Sequence, residues 1–277
     1  MTYKTILVHV DTDERCGTRV DIALRLARQF DAHLIGLHIR MPDAPPHREA
    51  DAGRVAASLR HDEATNDARK AAALFQNRIR GTALVGAEWR ETAGYAEDAI
   101  ALHARYADLV IVGQSDPARH YPYPPDLPAL LAFTTIRPVL AIPYAGDFHH
   151  LGENVLIAWN GSREATRAIT NALPILKAAT TVTVMAVNPV HGPLEHGEAP
   201  GDELAIYLAR HGVEVNVSRQ EKTEIDVGEC LLSGAADFGV DLIVMGAYGH
   251  LRLREWILGG VTRTIARSMT VPVLMSH

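Results

Sequence analysis

Residues 108–113 read DLVIVG and residues 241–246 read DLIVMG, two nearly identical words 133 positions apart. Each is an aspartate, four apolar residues and a glycine. A short continuous apolar run closed by glycine is the mark of a strand buried on both faces, as in a parallel sheet covered by helices. Working outward, RPVLAIPY (137–144) matches VPVLMSH (271–277) at an offset of 134. ILVHVD (6–11) matches VLIAWN (155–160) at an offset of 149. The order of words is the same in both halves, so the chain is a duplication. The change in offset gives the first copy about 15 extra residues in its middle.

The segments between these words have helical periodicity. Val20, Leu24 and Ala27 recur on one face of a helix over 17–30. In the first copy the strands are 4–10, 32–39, 82–89, 108–113 and 138–144, with helices at 17–30, 54–80, 96–105 and near 127–133. The long helix over 54–80 accounts for the extra length. In the second copy the strands are 154–160, 181–187, 213–219, 241–246 and 272–277, with helices at 162–177, 201–211, 226–238 and 260–269. Strand and helix alternate throughout, which predicts an α/β fold of two doubly wound, open, five-stranded parallel sheets. The polar, glycine-containing stretch AGDFHHLGEN (145–154) reads as the linker. The expected domains are 1–146 and 151–277.

Composition narrows the function classes. The chain has 277 residues, 47% of them hydrophobic, and a net charge of −6, so it is globular and carries no basic surplus for nucleic acid. Two cysteines, far apart, exclude a disulfide framework and suit a reducing compartment. The first apolar stretch is interrupted by His9 and closed by Asp11, too short for a signal-peptide core, and no apolar run reaches the ~20 residues that span a bilayer. The expectation is a cytoplasmic protein with no membrane partner.

After the fourth strand of the second copy comes GAYGHLRLREWILGGVTRTIARSM (246–269), with glycines at 246, 249, 259 and 260. Open parallel sheets bind ligands beyond the carboxyl ends of their strands. Gly246 leaves such an end, and Gly259 and Gly260 stand where a helix begins. Val261, Ile265 and Met269 recur every four residues, so that helix buries one face. Its first N–H groups and its dipole favour an anion. Neither a P-loop nor the Rossmann fingerprint is present. Glycines in such places also serve a purely structural role, capping helices and turning loops.

The spacing Gly246, two residues, Gly249, nine residues, Gly259 resembles the Gly-x2-Gly-x9-Gly-[Ser/Thr] signature of the universal stress protein family. The flanking words Val-Met-Gly, Trp-Ile-Leu-Gly-Gly-Val-Thr and Val-Pro-Val-Leu agree with it. The resemblance covers both copies and implies a tandem member with the adenine-nucleotide α-hydrolase-like fold, its copies packed as a pseudo-dimer with their last strands adjacent. It implies an adenine nucleotide as ligand, ATP with or without Mg2+. The phosphates and ribose would lie against Gly246, Gly249, Gly259, Gly260, Val261 and Thr262, and the adenine near Ala158, Asn160 and Val187. Ala158 and Val187 also suit plain core positions. Two departures bear on the site: Gly260 stands where the family has a hydroxyl residue, and Asn160 where it commonly has Asp. Self-association into a homodimer is compatible with the same resemblance.

The first copy departs further. Gly113 has no partner glycine three or thirteen positions on, and four prolines lie between 122 and 128. This copy is expected to bind no nucleotide through the motif and to act as a structural partner. Arg252, Arg254, Arg263 and Arg267 flank the second-copy loop and read as a solvated basic face or as contacts to phosphate or a partner. The histidines, among them the pairs His149–His150 and His191 with His196, have no metal-ligand spacing. Cys16 lies near a helix start, where its thiol pKa could be lowered. No residue stands out as a general base, and the expectation is a binding protein rather than an enzyme.

Overall fold

A computed structural model describes residues 2–41, 52–119, 121, 123–188, 201–220, 224–247 and 260–277. The first half runs β1 (Thr5–His9), α1 (Cys16–Gln29), β2 (His33–Arg40), α2 (Ala52–Ile79), β3 (Gly86–Ala93), α3 (Ala96–Ala104), β4 (Leu109–Gly113), α4 (Leu127–Thr134) and β5 (Val139–Ile142). The second runs β6 (Asn154–Ala158), α5 (Arg163–Leu176), β7 (Thr181–Val187), α6 (Asp202–Arg210), β8 (Asn216–Gln220), α7 (Val227–Asp237), β9 (Leu242–Gly246), α8 (Gly260–Ser268) and β10 (Val273–Ser276). The surplus length of the first copy falls in α2, which has 28 residues against 9 in its counterpart α6.

Each half is a parallel five-stranded sheet. The order is β3-β2-β1-β4-β5 in the first and β8-β7-β6-β9-β10 in the second. The two sheets join edge to edge through β5 and β10, which pair antiparallel with Leu140 opposite Leu274. The result is one ten-stranded sheet. The last strands therefore do meet, as the family resemblance implied for PVLAIPY and PVLMSH. Side chains reinforce the join: Tyr3 Oη donates to Asn171 O at 2.7 Å, and Asn171 Nδ2 donates to Ser276 Oγ at 3.0 Å.

Strand residues alternate between two cores. Ile6 and Val8 of β1 belong to a core that also holds residues of α1, α2, α5 and α6, while Leu7 belongs to one that holds residues of α3, α4, α7 and α8. Helices thus cover both faces, and each core runs through both copies. The aspartates of the duplicated words have a shared task. Asp108 accepts from the backbone N–H groups of Lys4 (2.7 Å) and Thr5 (3.0 Å), and Asp241 from those of Gly152 (2.7 Å) and Glu153 (3.0 Å). Each carboxylate holds the entry of the central strand beside its own, a charge-assisted bond that apolar residues could not supply.

The third strand of each copy starts later than its expected span. In the first copy it begins at Gly86, not at 82, because Gly86 pairs with His33 at the start of β2. The apolar residues before it do not enter the sheet: Leu84 packs against the core and Val85 is exposed. An edge strand carries charge, here Glu88, Arg90 and Glu91, with Glu91 paired to Arg40 at 2.7 Å, so hydrophobicity does not mark it. Its counterpart β8 starts at Asn216 for the same reason, with Val213 buried just ahead of it.

Candidate functional site

In the second half the strand order reverses between β6 and β9, whose loops lead away to opposite sides of the sheet. Doubly wound folds form a crevice at that point, outside the carboxyl ends of the strands. Such a crevice is present, with a volume of about 180 Å³. That is several times the ~30 Å³ share of one water molecule, so a small planar ring fits. Its floor is apolar, with Met185, Met245 and the half-buried Ala158 and Val187. Val227 and Leu231, one turn apart on α7, form one wall, and Gly246 with Gly260, Val261 and Thr262 of α8 form another.

Ala158, Asn160, Val187, Gly246, Gly260, Val261 and Thr262 all line this one crevice. Gly249 and Gly259 lie outside the described residues, as do Arg252, Arg254, His191 and His196. Trp159 also lines the crevice, between two residues singled out from the sequence. Its position as an aromatic inside the IAWN word is the signal that could have found it. Val227 and Leu231 could have been found only by knowing that α7 packs there.

Local structure assigns definite duties to several of these residues. Asn160 Oδ1 accepts from Ser162 N (3.2 Å) and Ser162 Oγ (2.8 Å), and Ser162 Oγ in turn accepts from Ala165 N at 3.1 Å. Asn160 thus braces the N-cap of α5 through its oxygen, leaving its amide nitrogen for other partners. Gly246 is required by packing: a Cβ there would lie 2.5 Å from the backbone nitrogen of Ala165 and 2.7 Å from the carbonyl carbon of Glu164. The close approach that needs glycine is that of α5. Gly260 is the opposite case, since a Cβ there would meet open space among the described residues. It opens α8, whose first N–H groups have no intrahelical acceptor and face the dipole's positive end.

The equivalent place in the first half is filled. His9 stands where the second copy has Ala158, Asp11 where it has Asn160, and Arg19 where it has Ala168. Arg19 is buried, its Nη2 lies 2.7 Å from Asp11 Oδ1, and its Nε donates to His9 O at 2.7 Å. The proline-rich segment closes over them: Tyr123 Oη donates to Asp11 Oδ2 at 3.0 Å, and Tyr121 Oη to Asp13 Oδ2 at 2.6 Å. The Tyr123 ring stands edge-on to His9 at 5.7 Å. Burial alone would raise the Asp11 carboxyl, but Arg19 holds it well below the usual carboxylate range. Burial drives His9 down to about 4, so it is neutral near pH 7. Cys16 corrects its expectation: the helix start does not activate it, because burial pushes the thiol up to about 11.

Among the described residues no helix is long and apolar enough to cross a membrane, and no group of three or more His, Cys, Asp or Glu could hold a metal ion. A universal stress protein from Archaeoglobus fulgidus has a similar architecture, with TM-score 0.70 and 16% identity over 98% of this chain and 95% of its own. The functionally unknown protein PA1789 from Pseudomonas aeruginosa PAO1 follows at TM-score 0.60 and 16% identity, over 99% of this chain and 92% of that one. The universal stress protein Slr1230 of Synechocystis sp. is 29% identical over 125 residues, which span 43% of this chain and 41% of that relative. Residues 2–120 and 152–277 each match the universal stress protein family. With both halves matched, the chain belongs to the universal stress protein family.

Proposed function

We propose that the second copy binds an adenine nucleotide, ATP or a relative of it, and that the protein is a nucleotide-responsive stress or signalling protein rather than an enzyme. The observation that carries this reading is the crevice between β6 and β9, bounded by Gly246 on one strand end and by the N-terminus of α8. An apolar floor of Met185, Met245, Ala158 and Val187 suits a base. The Asn160 amide suits a ribose or base hydroxyl or nitrogen. The N-terminus of α8, which opens at Gly260, suits phosphate oxygens through its backbone N–H groups and its dipole. Binding would stabilise the folded protein by an amount that rises with the logarithm of ligand concentration over Kd. In the first copy the Asp11–Arg19 pair and Tyr123 take up the equivalent space, and this copy serves as the structural partner.

The test is to extract small molecules from the purified protein and to titrate the stripped protein with ATP, following Trp159 fluorescence. Copurified adenine nucleotide or saturable binding supports the reading, and Ala158→Phe should abolish it. No nucleotide in the extract and no binding at millimolar ATP would end it.

A second reading is a pure interaction scaffold. Two observations favour it: Gly246 is already explained by α5, and the Asn160 oxygen is already used in a cap. A scaffold predicts that Ala158→Phe changes stability only.

A further inference from the structure

Helix α8 begins at the second-copy crevice and ends against the first copy. Gln114, the residue after β4, is buried there, and its Nε2 donates to Ala266 O at 2.9 Å. Its Oε1 accepts from Tyr144 N at 3.2 Å. One neighbour can only accept and the other can only donate, so the orientation of the amide is fixed. Ala266 lies in the last turn of α8, where carbonyls have no intrahelical donor. A side chain from the other copy supplies one.

The arrangement is one-way. The residue equivalent to Gln114 in the second copy is Ala247, which has no side-chain donor to return. A separate link starts from Ala247 itself, beside Gly246: its carbonyl is 2.9 Å from His277 Nδ1, and the His277 ring lies 4.8 Å from that of Phe133 on α4. Both the strand end and the helix that bound the crevice are therefore tied to the first copy. Resting on the nucleotide reading above, we infer that Gln114 is a positioning residue through which the first copy sets the pose of α8, so that ligand occupancy of the second-copy crevice is felt at the loop after β4. A helix whose far end is fixed presents its N-terminal N–H groups in one place. Loss of the tether lets that end shift, and by reciprocity a ligand that holds α8 tightens the tether.

The experiment uses the full chain. ATP affinity is measured for the wild type, Gln114→Met and Arg167→Met. Gln114→Met keeps the volume and removes the donor. Arg167→Met removes another bond between the copies, from Arg167 Nη2 to Ile136 O at 3.1 Å, which does not touch α8. Amide exchange is recorded for the wild type with and without ATP, which needs no variant. The expected result is an affinity about fivefold weaker for Gln114→Met, at the low end for coupled sites, with Arg167→Met unchanged. ATP should also slow exchange at the amides of 113–116, Ile142 and Tyr144. Equal affinity for wild type and Gln114→Met, or no ATP effect on those amides while ATP binds, overturns the inference and leaves the nucleotide reading standing. Wild-type protein that binds no ATP overturns both.

Discussion

Arg19 and Asp11 form a buried ion pair, 2.7 Å between Nη2 and Oδ1, at the place in the first copy that corresponds to the open crevice of the second. Their side chains are only 4% and 15% exposed. Desolvating two charges is costly, and the pair offsets that cost only while both members are present. Arg19→Met leaves the Asp11 carboxylate without its charged partner, with the Tyr123 hydroxyl and the Asp13 backbone N–H as donors. The expected loss of stability is about 3–5 kcal/mol, read from urea unfolding. A loss below about 1 kcal/mol would show that water reaches Asp11 and that the first site is not sealed.

His9 sets a pH dependence. Its folded-state pKa of about 4 lies below the ordinary 6.5 because burial penalises the imidazolium. The folded state therefore binds fewer protons than the unfolded state between those values. The sign follows: stability is full above pH 6.5 and falls as pH drops toward 4, by about 3 kcal/mol at most. Asp11 is also depressed, from an ordinary 3.8, so its contribution is lost in a separate, more acid window. His9→Gln should flatten the stability profile between pH 6.5 and 4 and leave the steeper acid limb. An unchanged slope in that range would remove His9 as its cause.

Gly246 and Gly260, the two described glycines of the crevice, should respond oppositely to a side chain. Gly246→Ala drives a Cβ into the backbone of Glu164 and Ala165 and should cost about 1–3 kcal/mol without any ligand present. Gly260→Ser meets open space among the described residues and should leave the melting temperature nearly unchanged. If phosphate lies at the start of α8, the added hydroxyl should tighten ATP binding by about 1 kcal/mol, roughly fivefold in Kd. Calorimetric titration of the two proteins decides it, and weaker binding by Gly260→Ser would argue against phosphate at that position.

Both thiols are buried, and that of Cys16 is pushed up to about 11. At pH 8 a disulfide reagent such as DTNB should leave Cys16 untouched in the folded protein and react with both thiols only in denaturant. Fast reaction of Cys16 under native conditions would mean that the cap over Asp11 opens readily.

Much of the architecture was legible in the sequence because it rests on short-range pattern. Apolar words as short and β-branched as LVIV and LIVM, each closed by glycine, read as strands covered on both faces, and their repetition shows the duplication without coordinates. The aspartates that open those words served to align the copies, and their hydrogen bonds at the entries of β1 and β6 show why both copies carry them. Edge strands were less legible, as β3 shows, because strand ends there follow the register of a neighbour rather than their own hydrophobicity.

The candidate site divides in the same way. The resemblance carried by the glycine spacing implied Ala158, Asn160, Val187, Gly246, Gly260, Val261 and Thr262, together with Gly249 and Gly259, which lie outside the described residues. Only the tertiary structure brought the described ones to one crevice and added Trp159, Val227 and Leu231 to its walls. Only the tertiary structure showed that Gly246 yields to helix α5, that Arg19 and Tyr123 fill the first-copy site, and that Gln114 reaches α8 across 152 residues of chain. Periodicity and spacing report what a residue does within its own element. Which side chain occupies a neighbour's space depends on how the elements pack, and that is decided by contacts between residues far apart in the chain.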